Sequence, residues 1–230
     1  MKNLIVPLLA FAIFSFSSCA IVKDLGLKPT QLETVMALKD ILNSSSFKAL
    51  NTLKNVNDKG IEGTLPPEVG SVLNALRTIG YGNQIDQVKR SIGKASQLML
   101  TESEGIMSDA IQELKFTDAV AVVLGGEDAA TGVLKRAMYD TVKNRYSARL
   151  EQELGKTEVL DYWPLAANAY NLFAKNKIDN SLSDFLAERS VDALFLTMGK
   201  QEASIRTDYQ SLGSSVVTKV FDYYVKNKQS

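Results

Sequence analysis

The stretch AVAVVLG, Ala119 to Gly125, decides the fold. A short apolar run rich in valine fits a buried strand or a buried helix, and its own periodicity does not separate the two. Its flanks do. Thr117-Asp118 stands directly before it and supplies side-chain oxygens for a helix N-cap. Gly125-Gly126 stands directly after it, where a helix stops. The run therefore reads as a short helix. No other segment of the chain tempts a strand assignment, so the expected fold is all-α, a single compact domain of about nine helices.

Outward from this run the pattern is helical. Toward the N-terminus, Thr30-Gln-Leu-Glu33 forms a capping box, followed by an apolar stripe of Leu32, Val35, Leu38 and Leu42. Asn55 to Leu65 is turn-rich and reads as a loop. Pro66-Pro67 suits a helix start, and Val69, Val72, Leu73, Leu76 and Ile79 repeat at helical spacing behind it. GYGN, Gly80 to Asn83, divides that helix from the next, whose inner side is Ile85, Val88, Ile92, Ala95 and Met99. A second capping box, Thr101-Glu-Ser-Glu104, predicts a fresh start there and a helix to about Leu114.

Toward the C-terminus, a long helix is expected from Glu127 to near Leu154, with Tyr139, Val142, Tyr146 and Leu150 on one face. Val159 to Ala174 carries the single Trp, Trp163, and then Pro164, which should begin or kink its helix. Asn180 or Ser181 starts another helix, with Val191, Phe195, Met198 and Ile205 inward. Val217, Val220, Phe221 and Tyr224 line the last one.

The N-terminus has a different character. Lys2 is followed by the uncharged run Leu4 to Phe16 and then by Ser17-Ser18-Cys19. A helix of that run would span about 20 Å, short of the ~30 Å hydrocarbon core. Basic start, short apolar core and small residues are the layout of a secretory signal. Ser17-Ser18-Cys19 resembles the lipobox of bacterial lipoproteins, with Phe16 where leucine is usual. That resemblance implies cleavage before Cys19, lipidation of Cys19, and attachment to a membrane. Ala20, rather than Asp, follows the cysteine, which by the sorting rule of such proteins points to the outer membrane, facing the periplasm. The expected organisation is a signal peptide over 1–18, a lipidated cysteine and tether over 19–29, and an all-α domain over 30–228.

Composition narrows the chemistry. The chain of 230 residues has no histidine and one cysteine. Histidine-based triads and histidine metal sites are therefore excluded, and no internal disulfide can form. The 26 basic residues, less Lys2 of the signal, stand against 26 acidic ones. So near a balance gives no field for nucleic acid, and no nucleic-acid partner is expected. No cofactor or metal is expected either. Gly80-Tyr-Gly82 lacks the third glycine of a dinucleotide fingerprint, and no P-loop pattern occurs.

Carboxylates are what remain for catalysis. Asp118, Glu127 and Asp128, with Arg136 nearby, lie around the GGEDAAT turn and would serve general acid–base chemistry if they converged. The acidic first turn after Gly125-Gly126 complements a helix dipole and repels an anion, so the same turn also reads as a plain helix junction. Tyr139, Trp163 and Phe195 are candidate linings for an apolar ligand, and Arg206 is a candidate polar contact. Glu202 and Arg206, four apart in Lys200-Gln-Glu-Ala-Ser-Ile-Arg206, read as a solvated pair on a helix surface.

LPPEV at Leu65 to Val69, FTDAVAVVLGGEDAATGVLKR at Phe116 to Arg136, VDALF at Val191 to Phe195 and KQEASIR at Lys200 to Arg206 occur in that order. In these motifs the chain resembles the bacterial domain-of-unknown-function family 4197, over roughly Leu32 to Tyr224. Lys94-Ala-Ser-Gln97 and Ala193 depart from that family's usual pattern. The resemblance implies an exported, often lipid-anchored helical protein of the Gram-negative envelope. The functional expectation is a non-catalytic binding or structural module partnered by the membrane and by an envelope protein or a small apolar ligand. The alternatives are a carboxylate-dependent hydrolase at the GGEDAAT turn and a carrier of an apolar ligand between helices.

Overall fold

A computed structural model describes residues 27–57, 67–78 and 82–226. The expected signal segment with Cys19, the expected loop over 58–66, Ile79 and the expected break at Gly80-Tyr81 lie outside the described residues, as do the side chains of Leu76 and Val88. Eight α-helices and no strand make up the described fold: α1 (Gln31–Asn57), α2 (Pro67–Thr78), α3 (Gly82–Glu113), α4 (Ala119–Val123), α5 (Ala129–Leu154), α6 (Val159–Asn171), α7 (Leu182–Thr207) and α8 (Ser215–Tyr224). A 3-10 turn, Tyr209–Leu212, joins the last two. The chain is all-α and forms one compact domain.

AVAVVLG is helical for the reason its flank suggests. Asp118 Oδ1 accepts from the Ala121 amide at 2.9 Å, and Ala119 and Val123 turn inward. The first capping box also forms, with Thr30 N donating to Glu33 Oε2 at 2.8 Å and Glu33 N donating to Thr30 Oγ1 at 3.1 Å. Pro67 opens α2, and Ser181 caps α7 by accepting from the Asp184 amide.

Three expectations need correction. The second capping box is not used: α3 runs unbroken through Thr101 to Glu104. Thr101 Oγ1 donates to the Gln97 carbonyl and Ser103 Oγ to the Met99 carbonyl, so both hydroxyls are satisfied inside the helix and neither terminates it. Of the two places expected for Pro164, the helix interior is the one it takes, since α6 starts at Val159. Leu32 is exposed, and the inner stripe of α1 is instead Ala37, Leu38, Ile41, Leu42, Ala49 and Leu50. The Glu202–Arg206 pair is not solvated, as described below.

Helices α3, α5 and α7 run alternately up and down. Tyr146 on α5 meets Ser103 on α3, and Arg149 meets Glu102. Lys135 and Ser147 on α5 meet Asp192 and Asp184 on α7. The pairings run in opposite order along each neighbouring helix, so each neighbour is antiparallel. Helix α1 packs on α3 and α7, and its buried stripe joins the common core. This gives the domain two ends, separated by the ~39 Å length of a 26-residue helix. One end gathers the start of α1, the ends of α3 and α7, the start of α5, and α4 and α8. The other gathers α2, α6 and the start of α7.

Candidate functional site

The end that holds α4 and α8 contains the most unusual polar group of the domain. Glu202, on α7, is 0 % exposed, and Arg206, one turn later, is 9 % exposed. Glu202 Oε1 accepts from the Ala130 amide at 3.0 Å, and Oε2 accepts from the Thr131 amide at 2.6 Å. Those amides belong to the first turn of α5, whose donors have no partner within the helix. The α5 N-cap, Asp128, makes no side-chain cap bond. Glu202 thus caps α5 from another helix, with its negative charge at the positive end of the α5 dipole.

Arg206 completes the group. Its Nε donates to Glu202 Oε1 at 2.7 Å, its Nη1 to the Val123 carbonyl at 2.9 Å and its Nη2 to the Val122 carbonyl at 3.1 Å. Val122 and Val123 end α4, so a cation lies where the carbonyl dipoles of that helix point. The guanidinium also lies over the Phe221 ring of α8, 5.5 Å from its centroid. One carboxylate and one guanidinium, a single turn apart on α7, therefore tie together α4, α5 and α8.

One glycine makes room beside this clasp. A Cβ on Gly125 would stand 2.8 Å from Ala129 Cβ, too close for any real contact. A Cβ on Gly199 would reach contact distance, 3.4 Å, from Asp128 Cβ, which shows how near α7 lies to the α4–α5 turn. The motifs GGEDAATG and KQEASIR, far apart in sequence, are the two halves of one junction.

The catalytic candidates do not assemble. Asp118 is exposed and caps α4; Glu127, Asp128 and Arg136 are also exposed. Among the described residues no hydrogen bond or ion pair joins any two of the four. No group of three acidic or cysteine side chains with metal-ligand spacing occurs among the described residues. No described helix is long and apolar enough to cross a membrane.

The ligand-lining candidates divide. Tyr139 and Phe195 pack together across α5 and α7, with ring centroids 6.2 Å apart, and Lys135 stands over the Tyr139 ring while pairing with Asp192. Burial, reinforced by the Asp192 charge, pushes the Tyr139 phenol up to about 12. Trp163 is elsewhere. It stacks on Phe185 at 5.9 Å and donates its indole N–H to the Asp179 carbonyl at 3.0 Å. Phe185 precedes Phe195 by ten positions on α7, about 15 Å. The three aromatic candidates do not share one site, and Arg206 belongs to the clasp.

Sequence reasoning passed over Glu202. Spacing of four reveals a pair on one helix but not what covers it. Only the small residues Gly199, Ala129 and Ala130 hint that helices approach closely there.

No curated protein and no solved structure matches the chain. The family described as "Protein of unknown function (DUF4197)" matches residues 28–222, which includes both halves of the clasp. With most of its length matched, the chain belongs to the DUF4197 family of proteins of unknown function.

Proposed function

We propose that this protein is a lipid-anchored envelope component of the outer membrane, facing the periplasm, that works as a non-catalytic binding or structural module. The observation that carries the non-catalytic part is the use made of the charged residues in its motifs. Glu202 and Arg206 hold helix ends together with every directed bond turned inward, and Asp118 caps a helix. Asp128, Glu127 and Arg136 are exposed on the surface. A hydrolase built on carboxylates needs an acid and a base converging on one substrate position. The anchoring part is supported by the order Lys2, apolar run, Ser17-Ser18-Cys19.

Mass spectrometry of the protein purified from its native envelope tests both parts. The expected species begins at Cys19, carries acyl chains, and brings no stoichiometric small molecule. An unmodified Cys19 still joined to Ser18 would overturn the anchoring. A tightly retained apolar molecule would favour a carrier, and turnover of an ester or phosphoester panel that is lost in Asp128→Asn would favour the hydrolase.

A further inference from the structure

We propose that the outer face of α6 and the turn after it insert into the surface of an anionic phospholipid membrane. Helix α6 buries one side, Val159, Trp163, Ala166 and Ala167. Its other side is mixed: exposed Asp161 and Asn168 share it with large apolar side chains. Leu165 is 62 % exposed, Leu172 is 78 % exposed and Phe173 is 92 % exposed. Leu165 and Leu172 are seven residues apart and so stack along one stripe two turns long, with exposed Asn168 and Ala169 flanking it between them. Phe173 extends the stripe into the turn beyond the helix. No other stretch of nine described residues exposes three large apolar side chains this fully.

Lys175 and Lys177 follow immediately, both exposed. Long cationic side chains beside inserted leucine and phenylalanine reach back to headgroup phosphates while the apolar groups enter the acyl boundary. The turn after α6 keeps a net positive charge, since Lys175 and Lys177 outnumber Asp179, whose Oδ1 accepts from the Ser181 amide at 2.8 Å. Exposed Asp161, one turn before Leu165, marks the N-terminal limit of the inserting stripe. The three large side chains expose on the order of 400 Å², the size of a functional patch but about half of what each partner contributes to a standard protein interface. They protrude from a helix whose main packing partners among the described residues are α2 and α7. A small, projecting apolar patch with lysines at its rim fits a fluid lipid surface better than a shaped protein pocket.

The inference rests on the proposed function for the presence of a membrane, and adds a second attachment to it. The chain enters α1 at the opposite end of the domain, beside α8, where Lys219 Nζ meets Glu33 Oε1 at 2.7 Å. Attachment at both ends would lay the long axis along the membrane.

The test uses the full-length protein taken from membranes of the producing cell and reconstituted into phosphatidylcholine–phosphatidylglycerol vesicles with brominated acyl chains. Phe173→Trp is compared with the parent, whose Trp163 is buried, and with Leu196→Trp on the exposed side of α7. The expected result is at least twofold quenching of the emission added by Phe173→Trp, stronger with more phosphatidylglycerol, and no quenching of the emission added by Leu196→Trp. Trypsin cleavage after Lys175 and Lys177 should slow several-fold on vesicles, and L165S/L172S/F173S should remove that protection. Protein that floats with the vesicles while the indole introduced at position 173 stays unquenched overturns this inference and leaves the anchoring intact. Protein that does not float overturns both. Emission from position 173 that is blue-shifted but unquenched, or equal quenching at position 196, overturns it in favour of a protein contact or of unspecific adsorption.

Discussion

The two ends of the domain are fastened by different physics. At the α4–α8 end, a buried carboxylate and guanidinium satisfy four backbone groups on two helices. At the α6 end the closure is mainly apolar: the ion pair Arg189–Glu68 between α2 and α7 is partly exposed, and neutral polar groups finish it. Trp163 packs on Phe185, and Asn171 grips residue 178 twice, accepting from the Ile178 amide and donating to the Ile178 carbonyl, each at 2.8 Å. The difference lies in tolerance. Apolar contacts degrade gradually when altered, whereas a buried ion pair that loses one member leaves the other uncompensated. The charged end should therefore be the brittle one, and the apolar end the forgiving one.

The sharpest way to break this comparison is Glu202→Ala. It should cost about 3–5 kcal/mol, because Arg206 stays buried without its partner and two α5 amides lose their acceptor. Urea denaturation measures it. A loss below about 1 kcal/mol would mean that the clasp opens to water and that the ends do not differ. Replacing both Glu202 and Arg206 by apolar residues of similar size should recover only the part due to the unpaired guanidinium, because the Ala130 and Thr131 amides and the Val122 and Val123 carbonyls still lose their partners; a double-mutant cycle separates the two parts.

Next in size is Gly125→Ala. The added Cβ meets Ala129 Cβ at 2.8 Å and must push α4 from α5, at about 1–3 kcal/mol by thermal melting. At the other end, Trp163→Phe keeps most of the packing and loses the bond to the Asp179 carbonyl. About 1–2 kcal/mol is expected. If this conservative change proved costlier than Glu202→Ala, the assignment of brittle and forgiving ends would reverse.

The smallest effect belongs to Glu33. Its bond with Lys219, and then those from Thr30, hold the carboxyl down to about 2. A carboxyl lowered on folding stabilises the protein above its unfolded value of 4.5 and loses that contribution as the pH falls toward 2. Glu33→Gln should therefore melt slightly below the parent at neutral pH, with the gap closing between about 4.5 and 2. A gap independent of pH would show that packing, and not charge, joins α1 to α8.

The fold was largely legible because it rests on local signals. Asp118 before a valine-rich run and Gly125 after it were enough to read α4 correctly. Thr101-Glu-Ser-Glu104 misled for an equally local reason, since a serine or threonine can cap a new helix or bond back into the old one, and the choice depends on what packs beside it. Here Tyr146 donates to Ser103, and α3 continues straight through. The site was less legible. Leu32 followed the helical period and still faces out, and Glu202 looked like an ordinary surface partner of Arg206. Burial at these positions is decided by α4, α5 and α8 arriving from elsewhere in the chain, 71 residues away in the case of Glu202 and Thr131. No spacing within α7 records that.

The cap that Glu202 places on α5 also bears on amide hydrogen exchange. First-turn amides of a helix ordinarily trade their protons with solvent quickly, because nothing within the helix holds them. Ala130 and Thr131 are held by a side chain from another helix, so their protons leave only when α7 separates from α5. Two of the normally fastest amides would become slow reporters of a long-range opening, and their exchange rates would time how often that end of the molecule comes apart.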